Sequence, residues 1–129
     1  RWRSPEEIRN STGTVSTLQP ADVYSLGNLL YTVMTKHQPW QHLEDGSPTE
    51  EDLIKKKLKG NLPNLPSKYT PERKEAKVLW AAARSCYRRD PEDRPSALRL
   101  ATSLGFALHY IKKRKDLSDE TIEQIFEIG

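Results

Sequence analysis

Apolar residues recur at helical spacing in several separate stretches of this 129-residue chain, and no stretch alternates clearly between apolar and polar positions. Residues 20–35 are apolar on nearly every side, which predicts a buried central helix. Pro20 suits the first position of that helix. The helix should end before Pro39, because a residue that precedes proline is pushed out of helical geometry.

The same periodicity predicts four further helices and therefore an all-α fold class. One runs over 48–59, capped by Ser47 and stopped by Gly60, and its thin apolar content predicts a surface position. The next begins at Pro71 after a Thr70 cap and ends in the stretch 87–97. Another starts at Pro95 or Ser96, and a short one starts at Ser118. The predicted core face of the helix after Pro95 consists of Ala97, Ala101, Leu104, Leu108 and Ile111.

Composition narrows the possible functions without choosing one. The net charge of +3 is too small to indicate nucleic-acid binding by itself. Cys86 is the only cysteine, which rules out an internal disulfide and a cysteine-based metal site, and the three histidines show no metal-binding spacing. No apolar run approaches the ~20 residues that span a bilayer, so we expect no membrane segment in this stretch. The chain begins with Arg1, which favours a piece of a larger protein, and the cytoplasmic side is the favoured location.

Four short motifs give the sequence a specific resemblance. They are SPEE at 4–7, ADVYSLG at 21–27, HQPW at 37–40 and DPEDRPS at 90–96. In this order they resemble the C-terminal half of the eukaryotic protein-kinase domain, from the end of the activation segment to the last helix. The resemblance divides the chain into a kinase-like part, 1–112, and a tail with a short helix, 113–129. Trp2 and Cys86 favour assignment to the tyrosine-kinase or tyrosine-kinase-like group. Ser4 and Lys36 depart from the family pattern, which usually has alanine and glycine at these positions.

The resemblance implies that Glu6 pairs with Arg94. In this family the glutamate of the Ala-Pro-Glu motif meets the arginine of the Asp-Pro-x-x-Arg-Pro motif, and those residues correspond to Glu6 and Arg94. A planar guanidinium can meet a carboxylate through two parallel hydrogen bonds, and Pro95 restricts the backbone that presents it. The alternative is an arginine that lies in a solvated loop.

Asp22 and Gly27 are the other two residues to which the resemblance gives a role. The aspartate at this place in kinases accepts hydrogen bonds from the backbone of the catalytic loop; the local alternative is an acid that stabilises the first turn of its helix. Gly27 lies within a helix, where glycine costs ~1 kcal/mol relative to alanine. Close approach of another segment would explain it, and chance tolerance on a weakly packed face is the alternative.

The resemblance also implies an activity for the parent protein, namely transfer of the ATP γ-phosphate to protein hydroxyls with Mg²⁺. The glycine-rich loop, lysine, aspartates and asparagine that this reaction uses lie upstream of residue 1 in the family. We therefore assign no catalytic, cofactor-binding or metal-binding residue here and expect this stretch to bind neither ATP nor Mg²⁺. Protein substrates or regulatory proteins are the expected partners. Two alternatives remain: a pseudokinase-like scaffold without catalysis, and an unrelated basic helical domain that contacts nucleic acid.

Overall fold

The protein is described by a computed structural model over residues 3–5, 8, 18–40, 50–66, 71–113 and 117–128. These residues form five helices and no strand, which confirms the predicted all-α fold class. The helices are α1 (Leu18–Thr35), α2 (Glu50–Leu58), α3 (Lys74–Cys86), α4 (Ala97–Lys112) and α5 (Asp119–Ile125). A 3₁₀ turn, Pro91–Asp93, lies between α3 and α4.

Three predicted helix boundaries are confirmed by the hydrogen bonds that form there. The Ser96 hydroxyl accepts the amide of Arg99 at the start of α4, and the Ser118 hydroxyl accepts the amide of Thr121 at the start of α5. At the end of α2, Gly60 takes a left-handed φ of 81° and the next amide donates to the carbonyl of Lys56. Such a turn satisfies the last carbonyls of a helix, and glycine adopts it without steric cost.

Two predicted starts are wrong. Helix α1 begins at Leu18, so Pro20 lies within its first turn, where its missing amide hydrogen breaks no helical bond. Helix α3 begins at Lys74 and not at Pro71, because Arg73 is still extended (φ −73°, ψ 147°). The caps expected from Ser47 and Thr70 lie outside the described residues.

The centre of the fold is α3, and not α1 as the sequence predicted. Ala81, Ala82 and Ala83 are fully buried in α3, which packs against α1, α4 and α5. In α1, by contrast, Leu29 and Val33 are 52% and 61% exposed. The small side chains of α3 let its neighbours approach closely, whereas one apolar side of α1 has no partner among the described residues.

The predicted core face of α4 is also wrong in part. The buried residues are Leu100 and Ala107, with Leu104 and Ile111 half-buried, while Ala97, Ala101 and Leu108 are exposed. Both sides of α4 are apolar, so the spacing could not show which side faces α3. The surface position predicted for α2 fails at two places, because Leu53 and Lys57 are buried.

The C-terminal tail packs on the same core as the helices before it. Leu117, Ile122 and Phe126 are buried with side chains of α3 and α4. The Lys74 ammonium donates to the carbonyl of Leu117 (2.5 Å), and the Arg88 guanidinium donates to the carbonyl of Phe126 (3.2 Å). The predicted division at 112/113 stays a prediction, but residues 117–128 are an integral layer of this fold.

The departure at Lys36 coincides with an unusual backbone. Lys36 has a φ of 63°, in the left-handed region where a β-carbon is unfavourable, while its amide still donates to the carbonyl of Thr32 (2.7 Å). Glycine takes this conformation without that penalty. The position at which the resemblance led us to expect a glycine is therefore one at which the backbone favours it.

We expect Lys36→Gly to stabilise the protein by about 1 kcal/mol, because it removes a β-carbon from a left-handed residue whose side chain is exposed. Urea unfolding followed by circular dichroism measures this change. Lys36→Ala is the matched control: it removes the charge and keeps the β-carbon, so it should leave stability nearly unchanged. Equal stability of the glycine and alanine variants would contradict the argument.

Candidate functional site

Arg94 is buried in the loop that joins α3 to α4, with 7% of its surface exposed. Its Nε atom donates to the carbonyl of Arg88 (2.7 Å), and Nη2 donates to the carbonyl of Arg89 (3.2 Å). Its own amide closes the 3₁₀ turn by donating to the carbonyl of Pro91 (3.3 Å). The loop that carries Arg94 therefore also fixes the direction of its guanidinium. An arginine in a solvated loop would not be fixed in this way.

The guanidinium lies against an aromatic pair that joins α1 to the end of α3. The Cζ atom of Arg94 is 4.9 Å from the ring centroid of Tyr24, which is 1% exposed. Tyr24 meets the ring of Tyr87 edge to face, with centroids 5.1 Å apart. A cation over a desolvated tyrosine ring gains ~1–2 kcal/mol. Arg94 is thus held by both carbonyl oxygens and a ring face.

A second buried cation, Lys57, reaches the same tyrosine from α2. Its Nζ atom lies 5.9 Å from the ring centroid of Tyr24 and 6.0 Å from that of Trp40. Nζ also donates to the carbonyl of Arg3 (2.8 Å), and Lys57 is only 2% exposed. We call this group the Tyr24 cluster. It consists of Arg94, Tyr24, Lys57, Trp40 and the carbonyl of Arg3.

The N-terminal segment enters the protein at the Tyr24 cluster. Ser4 and Pro5 are fully buried, and the amide of Ile8 donates to the carbonyl of Ser4 (3.1 Å), which closes one helical turn. Glu6 lies outside the described residues, so its pairing with Arg94 stays a prediction. The described residues on the N-terminal side of Glu6 are nevertheless fixed at the cluster that holds Arg94.

Lys57 was missed by the sequence analysis because it lies within a run of three lysines, which indicates a solvated face. A signal was present in the spacing: Lys57 comes four residues after Leu53, so the two share one side of α2. Leu53 is buried, and Lys57 follows it inward. Lys55, in contrast, points to solvent and pairs with Glu51 (3.6 Å).

Gly27 lies where α1 and α3 pack closely against each other. A β-carbon built on it would be 2.9 Å from Cβ of Cys86 and 3.3 Å from the carbonyl oxygen of Ala83. The first distance is shorter than packed carbon atoms tolerate. Close packing therefore explains why a glycine occupies this position in the helix, and it argues against a weakly packed face. One residue later, Asn28 Oδ1 accepts a buried hydrogen bond from the hydroxyl of Tyr87 (2.7 Å).

Asp22 is exposed beside an open groove of about 700 Å³. Because α1 begins at Leu18, Asp22 lies beyond the first turn of the helix, so its local explanation loses its basis. No hydrogen bond or ion pair to its carboxylate is found among the described residues. The groove is lined mainly by apolar side chains, including Val23 and Leu26 of α1 and Leu98 of α4, which is 79% exposed.

The described residues contain no obvious reactive centre. Burial raises the pKa of the Cys86 thiol to about 12, which keeps it protonated and unreactive at neutral pH. No group of three histidine, cysteine, aspartate or glutamate side chains is placed to hold a metal ion within the described ranges. In the same part of the chain, no helix is both long and apolar enough to cross a membrane.

Comparisons with known proteins give two kinds of relative at low identity. The chain is 28% identical to a receptor-type guanylate cyclase of Caenorhabditis elegans over 127 residues, 98% of this chain and 11% of that protein. It is 36% identical to a probable serine/threonine-protein kinase of Dictyostelium discoideum over 95 residues, 74% of this chain and 6% of that protein. It is also 31% identical to the mitogen-activated protein kinase kinase kinase YODA of Arabidopsis thaliana over 99 residues, 77% of this chain and 10% of that protein.

The chain thus spans about a tenth or less of the length of these relatives. No family model matches it. The relatives, the order of the four motifs and the all-helical fold support a protein-kinase-like family for this chain.

Proposed function

We propose that this chain is the C-terminal helical part of a protein-kinase domain, whose complete form transfers the γ-phosphate of ATP to hydroxyl groups of proteins. In this proposal the chain itself contributes helices that support the rest of that domain. In this proposal, residues 4–7 are the end of the activation segment, and Arg94 anchors that end through Glu6. Protein substrates or regulatory proteins are the partners.

The placement of Arg94 carries the proposal. A kinase-like activation segment needs a fixed attachment to the helical body, and Arg94 is buried, immobilised by its own loop, and located where the N-terminal segment enters the fold. A basic nucleic-acid-binding helix would instead direct its arginines towards solvent and phosphate. The similarity to two proteins named as protein kinases over 74% and 77% of the chain adds independent support.

The groove beside Asp22 supports membership of a larger helical domain. Leu29, Val33 and Leu98 are exposed around it or along the same side of α1, an arrangement that is costly in a domain standing alone. In the proposed parent, polypeptide that precedes residue 1 covers this face. The catalytic-loop backbone would then donate to the carboxylate of Asp22.

We propose no ATP or Mg²⁺ site among the residues of this chain. A nucleotide site needs a phosphate-covering loop, a lysine and metal-binding carboxylates, and the sequence contains no G-x-G-x-x-G, His-Arg-Asp or Asp-Phe-Gly motif. Nucleotide binding and the chemical step therefore belong to the upstream part of the proposed domain, and this chain contributes position and stability.

A second candidate function is a kinase-like regulatory module without phosphotransfer. The observation that favours it is the similarity to a receptor-type guanylate cyclase over 98% of the chain, because that protein is named as a cyclase and not as a protein kinase. The similarity to a guanylyl cyclase C of Cavia porcellus covers 96% of the chain. Both matches extend beyond the 74–77% that the two kinases cover.

Phosphotransfer by the full-length parent protein tests the proposal. With γ-labelled ATP, Mg²⁺ and a mixture of proteins rich in serine, threonine and tyrosine, we expect label on protein hydroxyls and none when the metal is chelated. We also expect Arg94→Ala to lower this rate strongly because it loosens the anchored segment. Arg99→Ala removes an exposed arginine that pairs with Glu127 and should leave the rate unchanged.

Nucleotide binding is measured in parallel by fluorescence of an ATP analogue. Binding of nucleotide without transfer, or neither binding nor transfer by a folded parent, would contradict catalysis and favour the regulatory module. In that case, binding of partner proteins becomes the activity to measure.

A further inference from the structure

We propose that Lys57 is a positioning residue that fastens the N-terminal segment, at residues 3–5, to helix α2. This inference concerns the chain's own contacts and goes beyond the proposed function, because it holds whether or not the parent transfers phosphate.

The environment of Lys57 is unusual for a lysine. A buried ammonium must be compensated, and lysines normally extend their stems so that the charge stays in water. Lys57 is 2% exposed, whereas Lys55 and Lys59 of the same run are exposed. The ammonium therefore finds enough compensation inside the protein to remain there.

The described contacts identify much of that compensation. The Arg3 carbonyl accepts a hydrogen bond of 2.8 Å from Nζ, and the rings of Tyr24 and Trp40 lie 5.9 Å and 6.0 Å from it. A charge-assisted bond to a carbonyl and two ring faces are contacts that a neutral side chain would not reproduce. The stem of Lys57 leaves α2 on the same side as the buried Leu53.

These contacts join four parts of the molecule at one ammonium group. Lys57 belongs to α2, Tyr24 to α1, Trp40 to the turn that follows α1, and Arg3 to the N-terminal segment. The hydrogen bond of Arg3 is to its backbone carbonyl, so it fixes the path of the chain independently of the side chain at position 3. The next two residues, Ser4 and Pro5, are fully buried.

Arg94 lies near the same tyrosine ring as Lys57. Arg94 lies 4.9 Å from the Tyr24 centroid, so both cations converge on one ring while each contacts a different part of the molecule. Arg94 fixes the loop before α4, and Lys57 fixes α2.

Hydrogen–deuterium exchange of the full polypeptide that carries this chain tests the inference. Lys57→Met keeps an unbranched stem and removes the ammonium, and we expect exchange of residues 3–8 to accelerate about tenfold or more, as expected from loss of a charge-assisted hydrogen bond. Exchange in α3 should remain within about twofold of the wild-type rate, since the contacts of Lys57 described above are to the N-terminal segment, α1 and the turn after α1. Lys57→Arg, which can still donate to the Arg3 carbonyl, should restore most of the protection.

Two further variants keep the test decisive. Lys55→Met removes an exposed lysine from the same helix and should leave exchange of residues 3–8 unchanged. Lys57→Gln is a milder change for which the same local pattern is expected, should Lys57→Met fail to fold. Unchanged exchange of residues 3–8 in the Lys57 variants, or equal acceleration in α3, would overturn the inference. Phosphotransfer plays no part in this readout, so its outcome is independent of the proposed activity.

Discussion

Arg94→Ala is expected to destabilise the protein by about 3 kcal/mol, which would lower the melting temperature by roughly 10 °C. The substitution removes two hydrogen bonds from a charged donor to the carbonyls of Arg88 and Arg89, and it removes the cation from the Tyr24 ring. Because the site is buried, the two carbonyls would lose a strong partner without full access to water. Differential scanning calorimetry and urea unfolding measure the change.

Arg99→Ala is the matched control for that prediction. Arg99 lies five residues later, its side chain is 59% exposed, and its partner Glu127 is 55% exposed. Surface ion pairs of this kind contribute between zero and about 1 kcal/mol. Equal melting temperatures for the two alanine variants would contradict the structural role of Arg94.

The acid that Arg94 meets can be identified in the same experiment. If Glu6 is that acid, Glu6→Gln and Arg94→Ala should be strongly non-additive, because either change alone breaks the same pair. Glu7→Gln is the control, and its effect should add to that of Arg94→Ala. Additive effects for Glu6 would leave Arg94 as a structural residue and remove the proposed anchor of the activation segment.

The local features of this fold could be predicted from sequence because their causes lie within a few residues. Ser96 and Ser118 begin helices since each hydroxyl accepts an amide three residues ahead. Gly60 ends α2 since it alone in that turn accepts a left-handed backbone at no steric cost. These signals hold whatever the rest of the protein does.

Which side of a helix faces inward could not be predicted, because that depends on the neighbouring elements. The apolar pattern of α1 indicated burial, yet Leu29 and Val33 are exposed since no described element covers them. In α4 the pattern predicted burial of Ala101 and Leu108. The residues that are buried instead are Leu100 and Ala107. An apolar pattern identifies a helix that can be buried and does not identify its partner.

For the same reason, only one of the two cations in the Tyr24 cluster could be predicted from the sequence. Arg94 could be singled out because Pro95 follows it in a motif of known type. Lys57 was harder to single out, since a lysine run indicates solvent, and the contacts that favour its burial include the distant carbonyl of Arg3 and the rings of Tyr24 and Trp40. The spacing from Leu53 shows which side of α2 Lys57 shares, but it does not show a compensating carbonyl that lies 54 positions away.

Gly27→Ala is expected to destabilise the protein by about 2 kcal/mol, although alanine is the better helix former. Helix propensity alone would favour alanine by ~1 kcal/mol. The added β-carbon, however, would lie 2.9 Å from Cβ of Cys86 and 3.3 Å from the carbonyl oxygen of Ala83. Neither neighbour is the mobile end of a long side chain, so α1 and α3 must separate, and overpacking of a core costs ~1–3 kcal/mol beyond any gain.

Gly105→Ala separates these two effects, because Gly105 also lies within a helix, but among the described residues no atom beyond its chain neighbours and its own helix backbone lies within 4 Å of the added carbon. There the propensity gain stands alone, and we expect stabilisation of about 0.5–1 kcal/mol. Urea unfolding of both variants should therefore move the midpoint in opposite directions. Parallel stabilisation by the two substitutions would show that α1 and α3 can separate at little cost, and that Gly27 is not required by their packing.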